Sequence, residues 1–193
     1  MTPNRKPSNP SSRLREQDSL PHRPVLLDAI LRDMAPVPGK IFLDATIGYA
    51  GHARHLAPLL GLQGLYCGID RDPEALEYSR MVLQAQPTPF RLAHDRFDRL
   101  AEWVRQWELP HLDGVLFDLG VSSPQIDQAE RGFSFQQEGP LDMRMDPSQK
   151  TTAADLAARL DEKELAALLR RFGEAVSYTH LRAHETVLDL VCR

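Results

Sequence analysis

The chain has 193 residues, 42% of them apolar, which suits one domain with a sizeable core. Its formal charge of −4 argues against a protein that coats nucleic acid non-specifically, while leaving room for a local basic site. No apolar run approaches membrane-spanning length, and the two cysteines, Cys67 and Cys192, form no CxxC pair, so a reducing compartment without a disulfide framework is expected.

Residues 1–21 are polar and rich in Pro and Ser, with no apolar h-region, and predict a disordered arm rather than a secretory signal. Residues 24–34 place Leu26, Ala29, Ile30 and Met34 on one helical face, and Pro36 and Pro38 stop that helix. The run 41–45 reads as a short buried strand, 48–51 as a turn, and 52–60 as a helix despite Pro58. A second strand spans 64–70. Asp72 and Pro73 then open a helix as N-cap and first helical residue, with Ala75, Leu76, Ser79, Val82 and Leu83 facing inward. A third strand is expected at 90–93, a helix at 98–107 with Leu100, Trp103, Val104 and Trp107 apolar, and a fourth strand at 115–118. Strands that read as continuous apolar runs and alternate with helices predict an α/β fold with a mainly parallel sheet.

The stretch 118–146 has neither a 3.6 nor a 2 period and is too long for a plain connector. Its Phe133, Phe135, Leu141, Met143 and Met145 argue against a disordered linker and for a site. After it, Thr152-x-x-Asp155 and Asp161-x-x-Glu164 read as capping boxes. The second of these helices shows Leu165, Leu168, Leu169 and Phe172 on one face and Gly173 at its C′ position.

Ligands of open α/β sheets bind beyond the carboxyl ends of the strands, and here three such ends carry acids: Asp44, Asp70 and Asp118. Small residues around Gly48, Ala50 and Gly51 let the backbone approach a ligand. A carboxylate at Asp70 can accept two hydrogen bonds from a ribose diol. Asp70 could equally serve a turn or a helix cap; Asp72, the better N-cap, takes that role and leaves Asp70 free. Asp44 reads as a residue that holds the 48–51 turn. These parts suit an adenosine-bearing cofactor, whether a nicotinamide dinucleotide or S-adenosylmethionine. The absence of a strict GxGxxG disfavours the dinucleotide. The run Asp118-Leu-Gly-Val-Ser122-Ser-Pro124-Gln125 has the acid and proline-bearing turn that receive a target NH2 in amino-group methyltransferases. An exocyclic base amine is a weak nucleophile, so aligned acceptors and water exclusion are what such a site must supply.

The segments from His22 (His-Arg-Pro-Val-Leu-Leu), Asp44 (Asp-Ala-Thr-Ile-Gly-Tyr-Ala-Gly-His), Gly68 (Gly-Ile-Asp-Arg-Asp-Pro), Asp118, Glu130 (Glu-Arg-Gly-Phe-Ser-Phe) and Gly139 (Gly-Pro-Leu-Asp-Met-Arg-Met-Asp) resemble the MraW (RsmH) family. The resemblance covers about residues 22–174. It implies a Rossmann-like methyltransferase that uses S-adenosylmethionine to methylate N4 of a cytidine in the decoding region of 16S rRNA in the small ribosomal subunit, in the cytoplasm, with no metal and no membrane. By it Ala50, Gly51, His52, Asp70, Phe97, Asp118 and Gln125 would bind cofactor, with Asp95 near the adenine, and Asp118, Ser122 and Pro124 would face the amine. Ala50 stands where the family often has Gly, a cheap departure if φ there is negative. Phe133 and Phe135 would pack the loop down or stack a base. Arg131 and Arg144 would meet phosphates or pair with Asp142 and Asp146. The other readings are a methyltransferase for another amine, on DNA or protein, a nicotinamide-dependent oxidoreductase, and a fragment that binds cofactor without chemistry.

The expected organisation is a cofactor-binding core over 22–150, the start of a helical substrate-side insertion over 151–175, and a tail over 176–193 that resembles translated sequencing adapter rather than the family. His180-x-x-x-His184-Glu185 lies in that tail and carries little weight as a metal site. An incomplete sheet would leave the fourth strand as an exposed apolar edge, with poor solubility as the consequence.

Overall fold

The computed structural model describes residues 24–173; the expectations for the arm, the tail and its histidines lie outside the described residues. Four strands, β1 (Ile41–Asp44), β2 (Leu65–Asp70), β3 (Phe90–His94) and β4 (Gly114–Leu116), form one sheet in the order β3-β2-β1-β4. Every pairing is parallel, with Leu43 beside Cys67 and Val115, and Gly68 beside Leu92. The order and the crossovers match the first four strands of a doubly wound Rossmann-like sheet.

Side chains alternate across the strands and bury two separate cores. Phe42 and Tyr66 point to one face, covered by α1 (Leu27–Met34), α2 (Ala53–Leu60) and α3 (Pro73–Gln84), where Leu56, Leu60 and Leu83 are fully buried. Leu43, Cys67 and Ile69 point to the other face, covered by α4 (Leu100–Gln106) through Leu100, Trp103 and Val104. Burial pushes the Cys67 thiol up to about 12, so it behaves as a small core hydrophobe.

The helices differ from the sequence reading mainly at their ends. α1 begins at Leu27 rather than at 24: Leu26 has φ +55 and is exposed instead of facing the core. Pro58 stays inside α2, near enough to its end that the helix reaches Leu60. A 3-10 turn over Phe97–Arg99 precedes α4. Both capping boxes form. Thr152 and Asp155 exchange bonds at 2.9 and 3.1 Å before α6 (Ala153–Arg159), and Asp161 and Glu164 do so at 2.8 and 3.1 Å before α7 (Glu162–Phe172). Gly173 follows α7, but with φ −105, so the left-handed cap expected of it is not made.

β4 ends at Leu116, two residues earlier than expected, and forms one edge of the sheet. Val115, Phe117, Leu119 and Val121 are 39%, 44%, 68% and 45% exposed, a stripe of alternate apolar residues that no described element covers. Among the described residues β4 has β1 as its one strand neighbour, and only Val115 of this stripe lies in the strand itself.

Candidate active site

Strand order reverses between β1 and β4, because β2 and β3 lie to one side of β1 and β4 to the other. Thr46 spans that reversal: its Oγ1 accepts from the Asp118 amide at 2.7 Å, while Ala45 N donates to the Leu116 carbonyl at 2.9 Å. The two turns on either side are open. A Cβ on Gly120 would meet nothing within 4 Å, and one on Gly48 only the Thr46 carbonyl at 3.9 Å.

On the β2 side, Asp70 Oδ2 accepts from Gly48 N at 2.7 Å and Oδ1 from Asp72 N at 2.9 Å. Each oxygen retains a further acceptor site, the number a ribose diol needs. Burial raises the Asp70 pKa against the pull of those two N–H donors. The structure therefore corrects the assignment of the turn. Asp70, not Asp44, grips Gly48, and Ser79 Oγ donates to the Gly48 carbonyl at 2.6 Å. Asp44 instead accepts from Thr46 N and from the Tyr66 hydroxyl, both at 3.1 Å. Its complete burial pushes its carboxyl up to about 7.

Ala50 closes the turn with φ +58 and is buried. The condition for a cheap replacement of glycine is not met; a Cβ in the left-handed region costs roughly 1 kcal/mol. Gly51 lies under the ring of Pro24, which a Cβ would meet at 3.5 Å. His52 is buried, with Nε2 3.0 Å from the Val25 carbonyl and Nδ1 3.6 Å from Asp118 Oδ2. A carbonyl only accepts, so Nε2 carries the proton and Nδ1 faces the carboxylate.

Phe97, on the 3-10 turn after β3, meets Phe117 edge to face with centroids 6.0 Å apart. Both are partly exposed and offer an aromatic wall to a flat base. Sequence reasoning counted Phe117 as strand and missed it; its place next to Asp118 was the available signal. Asp95 is engaged, accepting from Trp103 Nε1 at 3.0 Å and pairing with Arg99 at 3.2 Å.

After β4, Asp118 is half exposed and free to reach a ligand. Ser122 N-caps the short α5 (Ser123–Asp127) in a capping box with Gln125, and its hydroxyl is buried. Pro124 occupies the first turn of α5. The Gln125 amide is used at both ends: Oε1 accepts from Ser122 N at 3.0 Å, and Nε2 donates to Asp72 Oδ2 at 3.1 Å.

Both arginines of the loop are committed internally rather than offered to phosphates. Arg144 grips Asp142 with two bonds of 2.7 and 2.6 Å, which holds that carboxyl below its usual range. Arg131 is buried and pairs with Asp72 at 2.8 Å, not with Asp142 or Asp146. Asp146 pairs with His94 at 3.2 Å. Phe135 is fully exposed on a turn held by Ser134 Oγ, so it does not pack the loop down. Among the described residues no three His, Cys, Asp or Glu side chains are grouped to hold a metal, and no helix is long and apolar enough to cross a membrane.

The open parallel sheet, with its strand order reversing between β1 and β4, defines a Rossmann-like α/β protein. The model of the MraW methylase family matches residues 19–185, and the chain belongs to that family. Ribosomal RNA small subunit methyltransferase H from Shewanella denitrificans is 44% identical over 161 residues, 83% of this chain and 51% of that protein. The chain thus spans about half the length of this curated relative. Among solved structures, a SAM-dependent methyltransferase from Aquifex aeolicus aligns over 84% of this chain and 87% of its own, at 13% identity and TM-score 0.28. A Clostridium thermocellum protein aligns over 40% and 43%, at 23% identity and TM-score 0.34. At those scores neither overlap adds to the sheet order described above.

Proposed function

We propose that this chain is the cofactor-binding half of an S-adenosylmethionine-dependent methyltransferase acting on the N4 amine of a cytidine in the decoding region of 16S rRNA. The observation that carries the reading is the pairing, across one switch point, of a diol-ready carboxylate at Asp70 with an accessible carboxylate at Asp118, in a chain of the MraW methylase family. The residues present fit the cofactor. Asp70 would hold the ribose, the Phe97–Phe117 wall the adenine, and the open turns at Gly48 and Gly120 the methionine part.

When bound, the cofactor supplies an electrophilic methyl group. Asp118 accepts from an N–H of the target amine and orients it, with its own backbone pinned by Thr46. Ser122 caps the short helix that follows Asp118, and Pro124 in its first turn fixes the backbone there. A cytosine amine reaches such a site only from a single-stranded or splayed-out base, and the small subunit, in the cytoplasm, is where that base is found.

Calorimetry with S-adenosylmethionine tests the cofactor, and transfer of a labelled methyl group to small subunits and to deproteinised rRNA tests the substrate. Micromolar cofactor binding is expected of this chain. Label on DNA or protein but not on rRNA would sink the substrate assignment, and no binding would sink the cofactor.

A further inference from the structure

Arg131 joins three parts of the molecule that the chain keeps apart. Its Nη2 lies 2.8 Å from Asp72 Oδ2, at the head of α3, and donates to the Met145 carbonyl at 3.0 Å and the Arg144 carbonyl at 3.3 Å. Its own carbonyl accepts from Met143 N at 3.0 Å. Asp72 is fully buried. Its Oδ1 caps α3 through Glu74 N at 3.0 Å, its Oδ2 also accepts from Gln125, and its amide donates to Asp70. Tyr49, in the turn after β1, belongs to the same cluster: burial first, then the charges on Glu74 and Asp72, raise its phenol, while Arg131 lowers it. Gln128 closes the outer side with a bond to Glu74 at 3.3 Å.

We propose that Arg131 is a positioning residue. It locks both limbs of the 122–146 loop onto Asp72, so that the amine-facing loop and the ribose carboxylate Asp70 are one mechanical unit. The proposal rests on the cofactor reading above for its ligand, but not for the coupling itself. Arg131 holds Asp72 and the two carbonyls through Nη2 and keeps Nη1 3.9 Å from Glu74, a spread over two nitrogens of one rigid plane that the single nitrogen of an ammonium lacks. Linkage is reciprocal: if loop and ribose site are coupled, the cofactor orders the loop and the loop raises cofactor affinity.

Hydrogen exchange of the 193-residue chain, as wild type, Arg131→Met and Arg131→Lys, reads this directly. Leu83→Ala, at the far end of α3, controls for a general loss of stability. Expected for Arg131→Met is faster exchange by tenfold or more at Met143, at Glu74, whose carboxylate lies 3.9 Å from Arg131 Nη1, and also at Gly48, which Arg131 does not touch. Arg131→Lys should recover Glu74 but not Met143. Calorimetry should show S-adenosylmethionine affinity about tenfold weaker in Arg131→Met, and unchanged in Leu83→Ala below its melting transition. Faster exchange confined to 142–146, with Gly48 and Glu74 as in wild type, would overturn the proposal. So would equal effects from Leu83→Ala. If wild type fails to bind S-adenosylmethionine, the cofactor reading fails and the exchange pattern still decides the coupling. If Arg131→Met does not fold, Arg131→Lys decides it.

Discussion

The two sides of the switch point are built differently. On the β1–β2 side every element is held from several directions: Gly48 by Asp70 and Ser79, Asp44 by Thr46 and Tyr66, and the strands by fully buried leucines on α2 and α3. On the β4 side a three-residue strand ends in an exposed apolar stripe, and the functional loop is fastened mainly through Asp72, Arg131 and Gln125. The contrast teaches that the β1–β2 side, where we propose the cofactor sits, is self-supporting, while the loop after β4 is held by a few buried polar bonds beside apolar surface that no described element covers.

The contrast can be broken most forcefully in the core. Leu56→Ala, on the supported side, should cost about 2–5 kcal/mol in chemical denaturation, whereas Leu119→Ala on the open side should change stability by less than about 0.5 kcal/mol. Equal losses would erase the distinction. Asp70→Asn keeps the volume but removes an ionised acceptor of hydrogen bonds, each worth about 1.5–3 kcal/mol, so S-adenosylmethionine affinity should fall by about a hundredfold in calorimetry. Leu119→Lys should reduce self-association in sedimentation velocity, because Leu119 is 68% exposed beside other exposed apolar residues. Ala50→Gly should raise stability by about 1 kcal/mol by relieving the φ of +58; a loss would mean that the buried methyl matters more than the backbone.

Asp44 sharpens the comparison through pH. Its folded pKa of about 7 lies above the ordinary value of 3.8, so the folded state binds more protons between those limits. Its contribution is therefore fully present below about pH 4 and is lost as pH rises toward 7. Asp44→Asn should remove that loss, so the stability difference between variant and wild type should move in the variant's favour from pH 4 to 7. A flat difference would show that the carboxylate ionises freely.

Much of the fold was legible in the sequence because its determinants are local. Asp72-Pro73 wrote its own N-cap, the capping boxes at Thr152 and Asp161 are contained in four residues each, and continuous apolar strands announced a parallel sheet. What was not legible depends on distance in the chain. The partner of Asp72 is Arg131, 59 positions away (131 − 72), and no periodicity links them. The hold on Gly48 belongs to Asp70 rather than Asp44, because both acids end strands and only the register decides which one faces the turn. The φ at Ala50 could not be read from residue type, and Phe117 was hidden inside an apolar run that ends as strand at Leu116.

The bond from His52 to the Val25 carbonyl, with Pro24 seated over Gly51, changes how the front of the chain should be trimmed. Val25 reads as the start of a surface helix, but it is the roof of the turn that opens α2. Deleting Pro24 and Val25 would therefore strip two contacts from the turn that opens α2. A tag fused directly to Pro24 would stand over Gly51, in the turn where we propose the cofactor binds.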